Sequence, residues 1–146
     1  MTILPDKIAD MRVKHLEMVQ AIVARIANHG AALKNWCITT TTAVCGFAIT
    51  LQRPLVALLA LLPIVTFALL DTQYLRVERR FRELFDRIRA EDWATPPGFE
   101  INLQGAPKVN YWGVFISWSI ASFYALLAVG VVLVMFVPEV VHGRIN

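Results

Sequence analysis

The chain has 146 residues, of which 57% are hydrophobic and 17% carry a charge, and its formal net charge is +3 at pH 7. A chain of this length forms a single domain, and its apolar content is higher than a soluble domain of this size needs. The composition therefore argues against a soluble globular protein and predicts an all-α integral membrane protein.

Basic residues are unevenly distributed along the chain. Twelve of the 14 Lys and Arg residues lie in two blocks outside the long apolar runs. Because basic residues gather on the cytoplasmic side of a bilayer, this pattern predicts a cytoplasmic amino end and, after three crossings, a periplasmic carboxyl end. The expected location is a cell membrane, with membrane lipids as partners and no nucleic acid, since no nucleic-acid-binding motif accompanies the charge. The first block is Lys7, Arg12, Lys14, Arg25 and Lys34, and the second is Arg76, Arg79, Arg80, Arg82, Arg87, Arg89 and Lys108.

Residues 5–33 are predicted to form an amphipathic helix. Their apolar side chains recur at steps of three and four residues, and polar side chains occupy most positions between them. We expect this helix to lie on the cytoplasmic face of the membrane or to pack against neighbouring helices below it. Gly30, which two alanines follow, either allows another helix to come close or marks a bend.

An apolar run over residues 36–51 predicts the first membrane crossing. At 1.5 Å per residue it gives about 24 Å of helix, slightly short for a hydrocarbon core of about 30 Å. Lys34 can snorkel towards the headgroups and Trp36 can lie at the interface, which extends the usable span.

The second crossing covers residues 55–70 and follows Pro54, which suits the first position of a helix. Pro63 removes one backbone hydrogen bond in the middle of this crossing and is expected to kink it. Beyond the membrane, the helix is expected to continue as a charged cytoplasmic helix over residues 71–91, which has one apolar stripe.

The charged helix carries opposite charges four residues apart, and each such pair stabilises a helix by about 0.2–0.5 kcal/mol. The predicted pairs are Glu78–Arg82, Arg79–Glu83, Arg82–Asp86 and Glu83–Arg87. Arg76, Arg80 and Arg89 have no acidic residue at this spacing, so we predict that they bind lipid phosphates or an acidic partner. The simpler alternative is a solvated helix face.

A loop over residues 92–110 separates the charged helix from the last apolar run. It is predicted from its Gly and Pro content. The third crossing covers residues 111–137, which carry no charge and begin with aromatic residues suited to the membrane interface. Pro138 is expected to end this helix.

Small residues recur at every fourth position in two of the predicted crossings. Such residues form a flat stripe along which helix backbones approach closely. The stripes pack either inside one protomer or between protomers, and because three short helices leave little core of their own, we predict a homo-oligomer. The stripe residues are Thr42, Gly46 and Thr50 in the first crossing and Gly113, Ser117, Ala121 and Ala125 in the third.

The first crossing also contains four consecutive threonines at positions 39–42. Threonine hydroxyls in a membrane helix usually donate to their own backbone carbonyls, and the alternative is that they line a water-filled pore. No charged residue lies in the centre of any predicted crossing, which argues against a pump or an ion-coupled transporter.

Signals for catalysis are weak. No catalytic, phosphate-binding or metal-binding motif occurs, so we expect no enzymatic activity, cofactor or metal. Arg25 and His29 lie four residues apart, one residue short of the Arg–His spacing of helical ribonucleases, and a plain surface pair is the simpler interpretation. Cys37 and Cys45 are about 12 Å apart along one helix, which is too far for a disulfide.

An amphipathic helix, a short two-crossing hairpin and a charged helix follow one another over about residues 7–91. The hairpin is entered through Leu33-Lys34-Asn35-Trp36 and left through Leu70-Asp71-Thr72-Gln73-Tyr74-Leu75-Arg76-Val77-Glu78-Arg79-Arg80-Phe81-Arg82. This layout resembles the SLATT-type two-crossing membrane effectors of bacterial conflict and anti-phage systems. The third crossing departs from the simple form of that family.

The resemblance implies self-assembly into a membrane-disrupting pore that a separate sensor protein triggers. We therefore expect a small inner-membrane protein that assembles through its transmembrane helices and acts as a pore-forming or membrane-perturbing effector in a defence system. The alternative is a non-conducting membrane anchor, a subunit of a larger complex or a phage-exclusion protein.

Overall fold

The structure, a computed structural model, describes the backbone of residues 5–143 and the side chains of residues 5–136. Over these residues all regular structure is helical, which confirms the predicted all-α class. The elements are α1 (Pro5–Thr50), a 3-10 helix (Pro54–Ala60), α2 (Leu61–Ala90), α3 (Tyr111–Phe115) and α4 (Trp118–Gly143).

Helix α1 is a single helix of 46 residues, whereas the sequence predicts a cytoplasmic helix over 5–33 and a separate crossing over 36–51. The two are joined because residues 34 and 35 include no helix breaker, and a single glycine at position 30 costs only about 1 kcal/mol of helix stability. One face of α1 is buried along its length against α2, the 3-10 helix and α4 and, near its amino end, against the loop that follows α2. The buried residues are Ile8, Arg12, His15, Val19, Gly30, Cys37, Thr41 and Ala48.

The hairpin turn is formed by residues 51–53, where Gln52 adopts a positive φ of 52°. Its backbone is closed by hydrogen bonds from Gln52 N to Ile49 O and from Arg53 N to Ala48 O, both 3.1 Å long. The second crossing then begins as a 3-10 helix of seven residues and becomes α-helical at Leu61. Pro63 therefore lies in the first turn of α2, directly after the 3-10 helix gives way to α-helix, and it has no N–H to donate to the preceding turn. The kink expected at Pro63 stays a prediction.

Helix α2 runs without a break for 30 residues, from the apolar residues of the second crossing to the end of the charged segment. It packs mainly against α1. Since the chain reverses at the turn between them, the two helices are antiparallel and form a two-helix arm beyond the apolar region. The core of this arm consists of Val19, Leu84 and Ile88, which are buried together.

The third apolar run is interrupted at Ile116 and Ser117, so it forms α3 and α4 instead of one helix. Asn110 caps α3, because its Oδ1 accepts a hydrogen bond from Trp112 N at 3.2 Å. The backbone carbonyl of Ser117 then accepts from the N–H groups of both Ile120 and Ala121, which starts α4 anew. Helix α4 also continues past Pro138 to Gly143, so the expectation that this proline ends the helix is wrong. Proline removes one backbone bond, and apolar helices tolerate that loss.

The core of the apolar half combines larger side chains, such as Ile64 and Ile120, with several alanines. Its buried core includes Ala48, Ala57, Ala60 and Ala68, which come from α1, the 3-10 helix and α2. Larger apolar residues point outwards on the same elements, as an apolar solvent such as a bilayer would favour. Two helical segments, Pro54–Ala90 and Trp118–Phe136, are long and apolar enough to cross a membrane, which weakly favours a membrane location.

Candidate functional site: a buried ion pair where three helices meet

Lys34 of α1 and Asp71 of α2 form an ion pair at the boundary between the apolar region and the charged arm. Lys34 Nζ lies 2.5 Å from Asp71 Oδ2. The side chain of Asp71 is 4% exposed and that of Lys34 is 25% exposed. Lys34 therefore reaches across to the neighbouring helix, and its predicted role of snorkelling towards lipid headgroups does not describe this conformation.

Helix α4 contributes a third member to this site through Tyr124. The phenol oxygen lies 3.3 Å from Asp71 Oδ2 and 3.2 Å from the backbone carbonyl of Phe67. The hydroxyl can thus donate its one proton to either acceptor, both of which belong to α2. The neighbouring Phe123 places its ring centroid 5.8 Å from Lys34 Nζ, within the range of a cation–π interaction.

The close approach of α1 to Asp71 depends on Gly30. A β-carbon at this position would lie 3.3 Å from Asp71 Oδ1. Thr72, next to Asp71, is fully buried and donates its hydroxyl proton back to the carbonyl of Ala68 at 2.7 Å. The two backbones can therefore approach closely at Asp71, because Gly30 has no side chain and the Thr72 hydroxyl is already bonded within α2.

A cleft of about 310 Å³ opens beside the ion pair, between α1, α2 and the start of α4. Its polar lining includes Lys34, Asp71, Glu78 and Ser119. Breaking a buried ion pair by removing one partner costs about 3–5 kcal/mol, because the other charge is left unpaired. Asp71, a buried ionisable group at the edge of the apolar region, is therefore a candidate functional residue.

This ion pair is absent from the sequence-based predictions. Lys34 stands just before the first apolar run and Asp71 just after the second, so both look like ordinary residues at helix ends. The available signal was their place at the same end of an antiparallel hairpin. Sequence spacing alone does not give the register of two packed helices, and for this reason Lys34 and Asp71 could not be paired from the sequence.

A second polar cluster fixes the connecting loop to the helical arm. The guanidinium of Arg12, which is 2% exposed, donates from Nε to Thr95 O at 3.0 Å and from Nη2 to Thr95 Oγ1 at 3.0 Å. Its Nη1 donates to Glu91 Oε2 at 2.8 Å. One turn further, His15 is also buried, and its ring centroid lies 5.4 Å from that of Phe99. The loop is thus anchored at its beginning by α1.

Arginines of α2 hold the rest of this loop. Arg76 Nε donates to Val109 O at 2.9 Å, Arg80 Nη2 donates to Leu103 O at 3.1 Å, and Arg87 donates to Gly105 O. The loop over residues 92–110 consequently runs back along α2 towards the apolar region. We refer to it below as the strap.

These contacts change the interpretation of Arg76, Arg80 and Arg89. Arg76 and Arg80 are engaged by carbonyl oxygens of the strap, and Arg89 Nη2 lies 3.6 Å from Asp86 Oδ1, three residues away. None of the three has an acid four residues away, as predicted, but each has a partner of another kind. Binding of lipid phosphate or an acidic partner by these residues stays a prediction.

Among the predicted ion pairs of the charged helix, Glu78–Arg82 is confirmed, with 2.6 Å between Arg82 Nη2 and Glu78 Oε1. The other three pairs are not within 4.0 Å in the part of the chain that the structure describes. Exposed pairs of this type contribute little to stability.

The small residues of the first crossing, Thr42, Gly46 and Thr50, all lie on the exposed surface of α1. A β-carbon added at Gly46 would meet no atom within 4 Å. Thr50 donates its hydroxyl proton to Gly46 O at 2.9 Å. This stripe therefore does not pack against another helix of the same protomer.

The small residues of the third run are divided between two helices. Gly113 lies in α3, Ser117 lies in the break, and Ala121 and Ala125 lie in α4. The glycine and both alanines are exposed, whereas Ser117 is half-buried and its Oγ bonds to no other described residue. The expected single stripe is thus interrupted, although most of its surface is unpacked.

Thr39 and Thr40 donate their hydroxyl protons to Asn35 O and Trp36 O, at 2.9 and 2.8 Å. For these two residues the simpler interpretation of the threonine run holds, because each hydroxyl donates its proton to a backbone carbonyl of its own helix.

Arg25 and His29 are both exposed on α1, and the ring of His29 lies 5.9 Å from that of Tyr74. This arrangement is that of a surface pair. Within residues 5–136, no three His, Cys, Asp or Glu side chains are placed to hold a metal ion, and Cys37 and Cys45 are free thiols.

No protein-family model, curated protein or solved structure matches this chain.

Proposed function

We propose that this chain is a small inner-membrane protein of bacteria that assembles with copies of itself through its transmembrane helices. In this proposal the assembly forms a pore or otherwise perturbs the bilayer, as an effector in a conflict or anti-phage system. The observation that carries the proposal is the unpacked small-residue surface at Thr42, Gly46, Ala121 and Ala125.

Small residues on an exposed apolar surface favour association between helices. In lipid no hydrophobic force holds helices together, so association depends on close backbone contact, which small side chains permit. Inside the protomer, the alanines of the core already use this kind of contact. A second set of small residues that faces outwards, such as Gly46 and Ala121, has the same chemistry without a partner in the same chain.

The proposed topology has three crossings, with the amino end in the cytoplasm. The apolar half of α1 pairs with the segment that begins at Pro54, which is one of the two candidate spans. Trp36, Trp112 and Trp118 are 63%, 65% and 86% exposed. They belong to the same end of the apolar region, where tryptophan is favoured at a membrane interface. The arm of α1 and α2 then lies on the basic, cytoplasmic side.

We assign control of the assembly to the cytoplasmic arm and the strap. The strap is fastened by Arg12, Arg76 and Arg80, and a separate sensor protein that displaced it would expose the polar atoms beneath it. The ion pair of Lys34 and Asp71 lies where this arm enters the apolar region. It therefore stands at the junction through which a change in the arm would reach the membrane helices.

The second candidate is a non-conducting anchor or subunit of a larger complex, including a phage-exclusion protein. It is favoured by Thr39 and Thr40, whose hydroxyl protons are donated to their own backbone. Their methyl groups then suit contact with lipid, and the hydroxyls are less available to line a channel.

Controlled expression in cells loaded with a membrane-potential dye separates the two candidates. A pore-forming or membrane-perturbing assembly predicts depolarisation that increases with the amount of protein. Native mass spectrometry of the purified chain in detergent gives the oligomeric state in parallel. A monomer at all concentrations would contradict self-assembly, whereas an oligomer without depolarisation would favour the non-conducting candidate.

Topology is tested with alkaline phosphatase fusions, which are active only in the periplasm. A fusion after Asn146 is expected to be active, and one between Pro96 and Pro97 inactive. The reverse result would contradict the three-crossing arrangement.

A further inference from the structure

The cleft beside the ion pair combines one basic group with two acidic groups that retain free acceptor atoms. Asp71 Oδ2 accepts hydrogen bonds from Lys34 Nζ and from the Tyr124 hydroxyl, but Asp71 Oδ1 accepts no hydrogen bond from the residues described. Glu78 is similar, because Arg82 occupies its Oε1 and no described residue donates to its Oε2. The cleft therefore offers separate places for a negative and a positive group of one ligand.

The cleft lies at the level of the proposed membrane interface. Lys34 is two residues from the exposed Trp36, and Ser119 is adjacent to the exposed Trp118. Indole rings of this kind are enriched where lipid headgroups lie. A ligand of this cleft would thus be drawn from the headgroup layer.

An apolar path leads from the cleft towards the membrane interior. Ile38 lies one helical turn beyond Lys34 on α1, and Leu70 lies one turn before Tyr74 on α2. These two side chains are 42% and 43% exposed. They can contact the first carbons of an acyl chain while the headgroup occupies the cleft.

We infer that the cleft binds the headgroup of phosphatidylethanolamine. The phosphate is held by Lys34 and Ser119, and the ammonium group donates to Glu78 Oε2, while Asp71 adds a second negative charge to the lining of the cleft. This inference depends on the membrane location in the proposed function. A purely anionic headgroup would pair with Lys34 but would be repelled by the two carboxylates. A purely cationic ligand would be repelled by Lys34. The charge pattern of the cleft therefore selects a zwitterion. The volume of about 310 Å³ is at the lower end of small-ligand sites, as a headgroup alone requires.

The test uses the full chain, purified in detergent and stripped of lipid. It is incubated with equal amounts of phosphatidylethanolamine and phosphatidylglycerol that carry identical acyl chains, and the retained lipids are counted by native mass spectrometry. The parent chain is expected to retain the ethanolamine lipid in preference, by about fivefold for one charge contact at a membrane surface. Equal retention of the two lipids would overturn the inference.

Two variants test the assigned contacts. Glu78→Gln should bring the preference close to parity, while Glu83→Gln, an exposed acid on the same helix that does not line the cleft, should preserve it. Ser119→Ala should weaken retention of both lipids, since it removes a donor to the phosphate. Circular dichroism checks that each variant is folded. An equal loss of preference in the Glu83 control would overturn the assignment to this cleft.

Soluble phosphoethanolamine, added before the lipid, tests whether the ligand is a lipid. It should not prevent lipid retention, because it lacks acyl chains, and full competition would overturn the lipid assignment. Extraction of cell membranes with alkaline carbonate separates this inference from its premise. Release of the parent chain would contradict the membrane location itself, whereas a chain that stays in the membrane but shows no headgroup preference overturns this inference alone.

Discussion

Gly30 of α1 lies so close to Asp71 of α2 that a β-carbon at position 30 would stand 3.3 Å from the Asp71 carboxylate. The carboxylate has little freedom to move away, because Lys34 and Tyr124 hold its other oxygen. The glycine therefore sets the distance between the two longest helices at the point where a buried charge must be neutralised.

Replacement of this glycine should have the opposite effect to replacement of Gly46. Alanine in the middle of a helix is favoured over glycine by about 0.5–1 kcal/mol, so Gly46→Ala, which meets no atom within 4 Å, should raise the free energy of unfolding. Gly30→Ala should not, because the gain is offset by displacement of Asp71. Thermal unfolding in detergent, followed by circular dichroism, measures both. Equal stabilisation of the two variants would show that Asp71 can move freely.

The contribution of the Lys34–Asp71 ion pair can be measured by comparing the free energies of unfolding of single and double variants. Lys34→Met leaves the Asp71 carboxylate buried without a cation and should lower the free energy of unfolding by about 3–5 kcal/mol. Combination with Asp71→Asn should recover most of this loss. The matched control is Lys14→Met, which alters an exposed lysine of the same helix and should change stability by less than about 0.5 kcal/mol. A double variant as unstable as the single one would argue that Lys34 acts through packing alone.

Loss of Arg12 should loosen the strap and leave the apolar core intact. Hydrogen bonds to charged groups contribute about 1.5–3 kcal/mol, so Arg12→Gln should accelerate amide hydrogen exchange over residues 92–100 by about tenfold or more. Exchange in α4 should be unchanged. Arg25→Gln, which alters an exposed arginine on α1, serves as the control. Unaltered exchange in the strap of the Arg12 variant would mean that Pro97 and Ala106, which are also buried, suffice to hold it.

Association of protomers is predicted to depend on one side of α4. Ala121→Leu should weaken the oligomer without blocking membrane insertion, because it places a bulky group where two backbones are proposed to meet. Gly130→Leu is the control, since at 3.6 residues per turn it lies on the opposite side of the helix and has open space around it. Native mass spectrometry at a series of protein concentrations compares the two. A similar oligomer distribution for both variants would place the interface elsewhere.

Local patterns in the sequence were sufficient to predict the helical class and the positions of the apolar runs. Amphipathic spacing also marked the buried side of α1, for example at Ile8 and Val19. Helix ends were less predictable. Pro63 and Pro138 both looked like interruptions, but one lies at a change of helix type and the other inside a continuing helix. The effect of a proline depends on which backbone donors are already without partners, and tertiary structure decides that.

The polar sites could not be predicted, because they join residues far apart in the chain. Arg12 bonds to Thr95, 83 residues away, and Tyr124 to Asp71, 53 residues away. Each partner looks ordinary in its local context. Only the register of α1 on α2 and the return path of the strap bring these groups together, and neither has a local sequence signal.

Because α1 is one continuous helix, its two halves move together. Its 46 residues extend roughly 70 Å, and the contact at Gly30 lies roughly 38 Å from its amino end. A tilt of about 5° around this contact would therefore move the amino end by about 3 Å and the carboxyl end by a similar amount in the opposite direction. Because no break separates the two halves of α1, a displacement of its amino-terminal half is transmitted to its carboxyl-terminal half, and the pivot is the contact between Gly30 and Asp71.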